Sequence, residues 1–479
     1  IRLSGSSDVY LVGENLRNPF GLYAEDDSQA PESKLWCDLV LMKLSAGDLR
    51  RVEWSAPYRR VVLEQQEQAA PEIEAATGEE APPPLPPEKI WALVEPDFGV
   101  EPKQSGVNRL TGALADVRVS DVIDRGNLAK YGLDVPSATC TLVTQAGGIH
   151  HLRVGAPADG GAHYVRRDED ELVFKMDRWK LDAIFLGLSQ FVDLKAPTFA
   201  QDEVVNLSIE AEGRAFEFAR EDGAWRALRP KVELEPKGDR LDKVLKVVTA
   251  LQPQDLATHP APEVTGVDAP ATVVRFTLKD GEEHGVVFGN EVPLTDGGRF
   301  VRLDDREEVW TVTRANWNDA KPGVSELFDL KLMDFDPEEV TALTLRDASG
   351  ELRLALQEVP VPEEVTGELP EPKWVVEGLV QSATDIEALQ GTVRSLLSTL
   401  SGLTASDLFD FAQATDTGLE KPSWSATLML SDGGTLTLDL GQPAEAGTVY
   451  AQVKGKKALL VLPSHPAQRL QELGKKLRE

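Results

Sequence analysis

Apolar and polar residues alternate along most of this chain. Residues 139–143 (TCTLV), the Gly147-Gly148 turn and residues 150–154 (HHLRV) alternate with period two on both sides of a glycine turn, which predicts a β-hairpin. Residues 426–430 (ATLML), a 432–434 turn (DGG) and 436–440 (LTLDL) repeat the pattern more cleanly. Further hairpins are predicted for 164–166 with 172–174 and for 205–209 with 216–218, and Trp225 follows on another strand after Asp222-Gly223. Helical spacing is rarer. Over 239–251 it places Leu241, Val244, Leu245, Val248 and Leu251 on one stripe. A second helix opens at Thr384, where Thr384 and Glu387 have the spacing of a capping box.

The elements recur. Tyr131-Gly132-Leu133-Asp134-Val135-Pro136 returns as Thr265-Gly266-Val267-Asp268-Ala269-Pro270 and, weaker, as Thr417-Gly418-Leu419-Glu420-Lys421-Pro422, at offsets of 134 and 152. Asp121-Val122, Asp255-Leu256 and Asp407-Leu408 keep the same two offsets. A second set, offset by 155 and 136, aligns Asp38, Asp193 and Asp329, then Val52, Leu207 and Leu343, then Trp54, Ile209 and Leu345. Trp91, Trp225 and Trp374 form an aromatic column, as do Tyr164, Phe300 and Tyr450.

These columns define a unit of about 135–155 residues, the size of a domain and too long for a solenoid repeat. We divide the chain into a partial unit at 1–130, full units at 131–265 and 266–417, and a half unit at 418–479. The expected fold class is α+β: tandem repeated domains, each an antiparallel β-sheet of hairpins covered by one or two helices. Pro- and Glu-rich insertions at about 70–88 and 358–372 precede Trp91 and Trp374, where the middle copy has only a tight turn. They read as extended, solvated loops, with partner docking as the sharper alternative.

Composition narrows the function. Fifty Lys and Arg against 80 Asp and Glu give 479 residues a net charge of −30, which opposes binding to a phosphate backbone or an anionic membrane. No run of apolar residues reaches membrane-spanning length. The chain begins at Ile1 in what reads as mid-strand, so a missing upstream segment is expected.

The residues also carry a resemblance. Tyr-Gly-Leu-Asp-x-Pro at 131–136, Leu-x-Val-Gly at 152–155, Tyr-Val-Arg at 164–166, Val-Phe at 173–174 and Phe-x-Phe with Asp-Gly-x-Trp at 216–225 resemble a bacterial tandem-repeat domain of unknown function. That family is encoded beside ABC transporters of the gliding-motility auxiliary type. The resemblance implies an extracytoplasmic protein, periplasmic or at the cell surface, anchored to the inner membrane by a segment preceding this chain. It implies no catalytic motif. The motif residues read as structural: a turn glycine, a strand-starting proline, core aromatics. The third copy departs with Glu420 for Asp and Ala451-Gln452 for Val-Arg.

Candidate chemistry is sparse. His150, His151 and His163 lie close in sequence, but neighbours on a strand point to opposite faces, so a shared metal is not expected. Asp168, Glu169, Asp170 and Glu171 form an acidic turn that could hold Ca²⁺ weakly, yet the spacing matches no EF-hand loop. Cys37 and Cys140 fall in apolar columns and read as small core residues. No nucleophile elbow, P-loop or dinucleotide fingerprint occurs. We therefore assign no catalytic, cofactor-binding or metal residue and no cofactor.

Three function classes remain. The favoured one is a non-enzymatic extracytoplasmic accessory or scaffold subunit of an ABC-type export or gliding-motility-like envelope complex. Its partners would be envelope proteins, such as the permease and ATPase, with no nucleic acid. The alternatives are a carbohydrate- or envelope-binding module, with Trp and Tyr as sugar platforms, and an enzyme with an unrecognised site. Burial of Trp91, Trp225 and Trp374 between sheet and helix would favour the first.

Overall fold

The computed structural model describes residues 7–9, 34, 37–68, 88–168, 170–303, 306–357, 371–379, 382–410, 416–444 and 447–479. The first group of elements comprises β1 (Val40–Lys43), β2 (Leu49–Ala56), β3 (Arg59–Gln68), β4 (Glu88–Glu95), α1 (Gln104–Ala115), β5 (Asp116–Arg118), β6 (Asp121–Arg125), β7 (Ala138–Thr144), β8 (Ile149–Pro157), β9 (His163–Arg167), β10 (Leu172–Met176) and α2 (Arg178–Ile184). The second comprises β11 (Val204–Ala211), β12 (Arg214–Glu221), β13 (Ala224–Arg229), α3 (Gly238–Thr249), β14 (Asp255–Leu256), α4 (Pro262–Thr265), β15 (Thr272–Leu278), β16 (Glu283–Glu291), β17 (Arg299–Leu303), β18 (Trp310–Val312), α5 (Arg314–Ala320) and α6 (Val324–Leu327). The third comprises β19 (Val340–Asp347), β20 (Gly350–Gln357), β21 (Lys373–Val376), α7 (Ala383–Ser401), β22 (Asp407–Asp410), β23 (Trp424–Leu430), β24 (Thr435–Ala444), β25 (Thr448–Val453), β26 (Ala458–Pro463) and α8 (Ser464–Lys476).

Among the described residues these strands make three eight-stranded sheets and a β1–β5 ribbon. The orders are β4-β3-β2-β7-β8-β9-β10-β6, β13-β12-β11-β15-β16-β17-β18-β14 and β21-β20-β19-β23-β24-β25-β26-β22. They are one topology used three times. A three-stranded meander leads into a helix, the chain crosses to the far edge strand, and a four-stranded meander fills the gap. The fold is more strand-dominated than the expected α+β sheet under a helix, although helices α1, α3 and α7 occupy the expected place in each copy.

The positions 131, 265 and 417 fall inside the three sheets. Each sheet pairs strands from both sides of those positions: Val52 faces Leu142, Leu207 faces Phe276, and Leu343 faces Leu428. Among the described residues the repeated sheet begins at β2, β11 and β19 and occurs three times. Compactness divides the chain differently again. One unit contains residues 1–198, 250–271 and 286–317, and the other contains 199–249, 272–285 and 318–479.

The aligned columns occupy equivalent registers. Trp91, Trp225 and Trp374 pair with Gln65, Arg220 and Leu356, which are themselves offset by 155 and 136. Trp225 and Trp374 are buried against α3 and α7: the Trp225 indole N–H donates to Asp242 (3.3 Å), and Gln390 bridges the Trp374 backbone N–H and carbonyl (both 2.9 Å). Trp91 is only partly buried, packed on the first core. That core sets Trp54, Cys140, Leu142 and Phe191 against Val107, Leu110 and Leu114 of α1. The stripe foreseen on α3 is buried, with Leu241, Val244 and Leu245 fully so. Helix α7 begins at Ala383, one residue before the expected cap, and Glu387 pairs with Lys373 (2.8 Å). Residues 69–87 and 358–370, which hold most of both insertions, lie outside the described residues.

Two glycine columns explain the repeated motif. Gly132, Gly266 and Gly418 turn with φ of 66°, 65° and 70°, a region costly for any residue with a Cβ. The partner column is Gly155, Gly289 and Gly441. A Cβ there would lie 2.2, 2.0 and 2.1 Å from the carbonyl oxygens of Tyr131, Thr265 and Thr417. The motif turn thus rests directly on the backbone of β8, β16 and β24, and only glycine permits the approach.

Candidate functional site

The turn between β2 and β3 carries Tyr58 and Arg59, both buried. Arg59 forms an ion pair with Asp255 at the start of β14 through Nη1, which also donates to the carbonyl of Leu186 (2.9 Å), while Nη2 donates to that of Phe185 (3.0 Å). Asp255 also accepts from Leu188 N–H (3.2 Å), Leu256 N–H (3.0 Å) and the Tyr58 hydroxyl (3.3 Å). Burial pushes the Asp255 carboxyl up, against the pull of Arg59 and the two backbone donors. Burial also raises the Tyr58 phenol, which stays protonated as a donor. Backbone bonds extend the seam: His259 N–H donates to Tyr58 O (2.9 Å), and Arg60 N–H donates to Thr258 Oγ1 (3.1 Å).

The same device recurs one repeat later. Arg214, the first residue of β12 as Arg59 is of β3, donates from Nη1 to both carboxylate oxygens of Asp407 at the start of β22 (2.7 and 2.8 Å) and from Nη2 to Leu408 O (2.8 Å). Its guanidinium also lies over the rings of Phe216 and Phe409. In the third copy Gly350 occupies the arginine column. There Arg478, just beyond α8, donates to Gly350 O (2.8 Å) and pairs with Asp347 (3.3 Å). Each hairpin turn is thus held by a guanidinium, from the turn itself in the first two copies and from the closing helix in the third. The Asp column was visible in the sequence; its role was missed. The signal was Arg59 and Arg214 at the offset of 155 already set by Val52 and Leu207.

Above the Arg59–Asp255 pair, inside the first compact unit, lies a cleft of about 460 Å³. Its polar walls are Arg109, Asp182, Gln190, Asp296 and Arg314. Asp296 pairs with Arg314 (3.0 Å), and Asp182 bonds Arg178 (3.2 Å) while burial pushes its carboxyl up. The hydroxyls of Thr295 and Thr313 face Val292 O and Asn316 rather than a base. Such a cleft can hold a polar group between balanced charges.

The structure separates the residues weighed from sequence. The His151 ring bonds Thr141 (3.0 Å), and His150 lies 3.9 Å from Asp168. His163 is buried, and burial with nearby Arg178 holds its pKa below the usual histidine value. The acidic turn spends its carboxylates locally: Asp168 accepts from His151 N–H (2.6 Å), Asp170 from Leu172 N–H (3.0 Å), and Glu171 pairs with Arg125 (3.3 Å). Glu169 lies outside the described residues. Among the described residues no group of three or more His, Cys, Asp or Glu is placed to hold a metal ion. Cys140 is a core residue, its thiol pushed up to about 12 by burial. Cys37 is exposed, against the expectation that its apolar column put it in the core. Its aligned positions Val192 and Phe328 are buried, so the column's burial does not carry over to the first copy.

Among the described residues, no helix is long and apolar enough to cross a membrane. No curated protein and no solved structure matches the chain. One family description does match, in two tandem segments at residues 91–270 and 263–378, together more than half of the sequence. The repeated sheet and these paired matches agree: the chain belongs to the domain of unknown function family DUF4340.

Proposed function

We propose that this chain is a non-enzymatic accessory or scaffold subunit of an ABC-type export or gliding-motility-like envelope complex, working outside the cytoplasm through protein–protein contacts. The observation that carries the reading is the duplicated joint, in which Arg59 on Asp255 and Arg214 on Asp407 fasten one sheet's hairpin to the next sheet's edge strand. Tandem domains offer several modest contacts at once, and linked contacts gain by effective concentration without a deep pocket. The insertions before β4 and β21 differ between copies, as expected where a surface is specialised. The charge of −30 favours basic protein surfaces. Burial of Trp225 and Trp374 weighs against the sugar-platform alternative, because those indoles pack on helices. The test is co-purification of the protein, produced with its proposed anchor, with the permease and ATPase of the proposed complex. Deletion of residues 81–87 should leave folding intact and reduce recovery. Recovery of neither subunit would refute the proposal.

A further inference from the structure

A surface groove of about 670 Å³ runs between α7 and α8 in the second compact unit. Arg394, Ser395, Ser398, Thr399 and Gly402 supply one wall, at a spacing that shares one helix face. His465, Pro466 and Arg469 supply the other, from the first turns of α8. No carboxylate lines this groove, in a chain where acids outnumber bases 80 to 50. Arg394 and Arg469 form no ion pair among the described residues, whereas Arg59, Arg214 and Arg478 are all engaged by aspartates. The adjoining depression shares Ser395, His465 and Arg469 and adds one acid, Glu472, with one base, Lys476. The N-cap of α8 is Pro463, which supplies no side-chain acceptor, and the Ser464 hydroxyl is turned to Gly447 O. The positive end of a 13-residue helix is therefore left uncapped beside two guanidinium groups.

We propose that this groove binds a phosphate-class oxyanion. A guanidinium presents a planar fork of donors that fits phosphate or carboxylate oxygens in pairs. Here each wall of the groove carries one such side chain, Arg394 and Arg469. A planar carboxylate satisfies one of them, whereas a tetrahedral phosphate has oxygens for both and for the helix N–H groups. The rest of the molecule is acidic, so binding here depends on local geometry rather than overall attraction.

The experiment is calorimetric titration of the intact chain with inorganic pyrophosphate, alongside co-sedimentation with phosphatidylcholine vesicles with and without phosphatidylglycerol. The inference expects saturable binding that Arg394→Gln or Arg469→Gln each weaken about tenfold or more. Arg50→Gln, an exposed arginine on β2, should leave binding unchanged. Arg394→Lys keeps the charge without the fork and should fall between wild type and Gln. Binding of vesicles alone identifies a lipid headgroup as the source, and binding of pyrophosphate alone a soluble phosphate. Binding of neither, binding that the arginine variants do not weaken, or equal binding of citrate overturns the proposal.

Discussion

Replacing Arg59 with alanine should damage the protein far more than the same change at Arg214, although the two residues occupy one column of the repeat. The Arg59 and Asp255 side chains are 4% and 5% exposed, whereas those of Arg214 and Asp407 are 32% and 29% exposed. Arg59→Ala leaves a carboxylate inside the protein without its cation and deprives the carbonyls of Phe185 and Leu186 of their donors. Removing one member of a buried pair costs about 3–5 kcal/mol. Water reaches Asp407 once Arg214 is gone, so that loss should stay near the value of a partly exposed charged hydrogen bond, about 1–2 kcal/mol. Urea unfolding gives the total. Because tandem domains need not unfold in one step, hydrogen exchange at the amides of β14 and β22 assigns each loss to its joint. Replacing both partners, as Arg59→Met with Asp255→Leu, removes the unpaired charge but leaves the Phe185 and Leu186 carbonyls and the Leu188 and Leu256 N–H groups without these partners, so it should recover only part of the loss. An Arg59→Ala cost equal to or below that of Arg214→Ala would refute the reasoning.

Three further outcomes follow from the geometry. Gly289→Ala puts a Cβ 2.0 Å from the Thr265 carbonyl, so it should cost at least the ~1–3 kcal/mol of an overpacked core, read as a lowered urea midpoint; Gly281→Ala, at an open turn, reports the backbone strain alone. Burial lowers the His163 pKa, so the unfolded chain binds a proton first as pH falls. His163 should thus contribute stability above the unfolded value near 6.5 that is lost as pH drops through the folded pKa, and His163→Gln should flatten that limb of a pH–stability curve. Cys37 should react with a thiol reagent in the native protein, while Cys140 should react only after unfolding.

Local structure was legible in the sequence, and long-range structure was not. Alternation and turn glycines located the hairpins β7–β8, β9–β10, β11–β12 and β23–β24, because each is written in adjacent residues. The column offsets carried the period of the repeat. They could not carry its phase, since every cyclic shift of a tandem repeat has the same offsets. Phase is set by pairings such as Val52 with Leu142, whose partners lie in separate hairpins. Gly155 stands in the Leu-x-Val-Gly motif, but the need for glycine there, and at Gly289 and Gly441, arises only where the carbonyl of another segment approaches. Cys37 shows the converse error, because a shared column fixes a register position and not its burial. The joint residues were missed for a further reason: Asp255 and Arg59 lie 196 positions apart, and only two copies of the pair exist to be compared.

The central claim is action by binding, and its most direct test is a binding isotherm between the purified chain and the purified permease–ATPase complex of the proposed envelope assembly, reconstituted in nanodiscs. The account predicts saturable, stoichiometric binding that weakens when residues 81–87 are deleted, with no substrate consumed. Absence of binding, together with turnover of a defined substrate that a single carboxylate or histidine substitution abolishes, would contradict it.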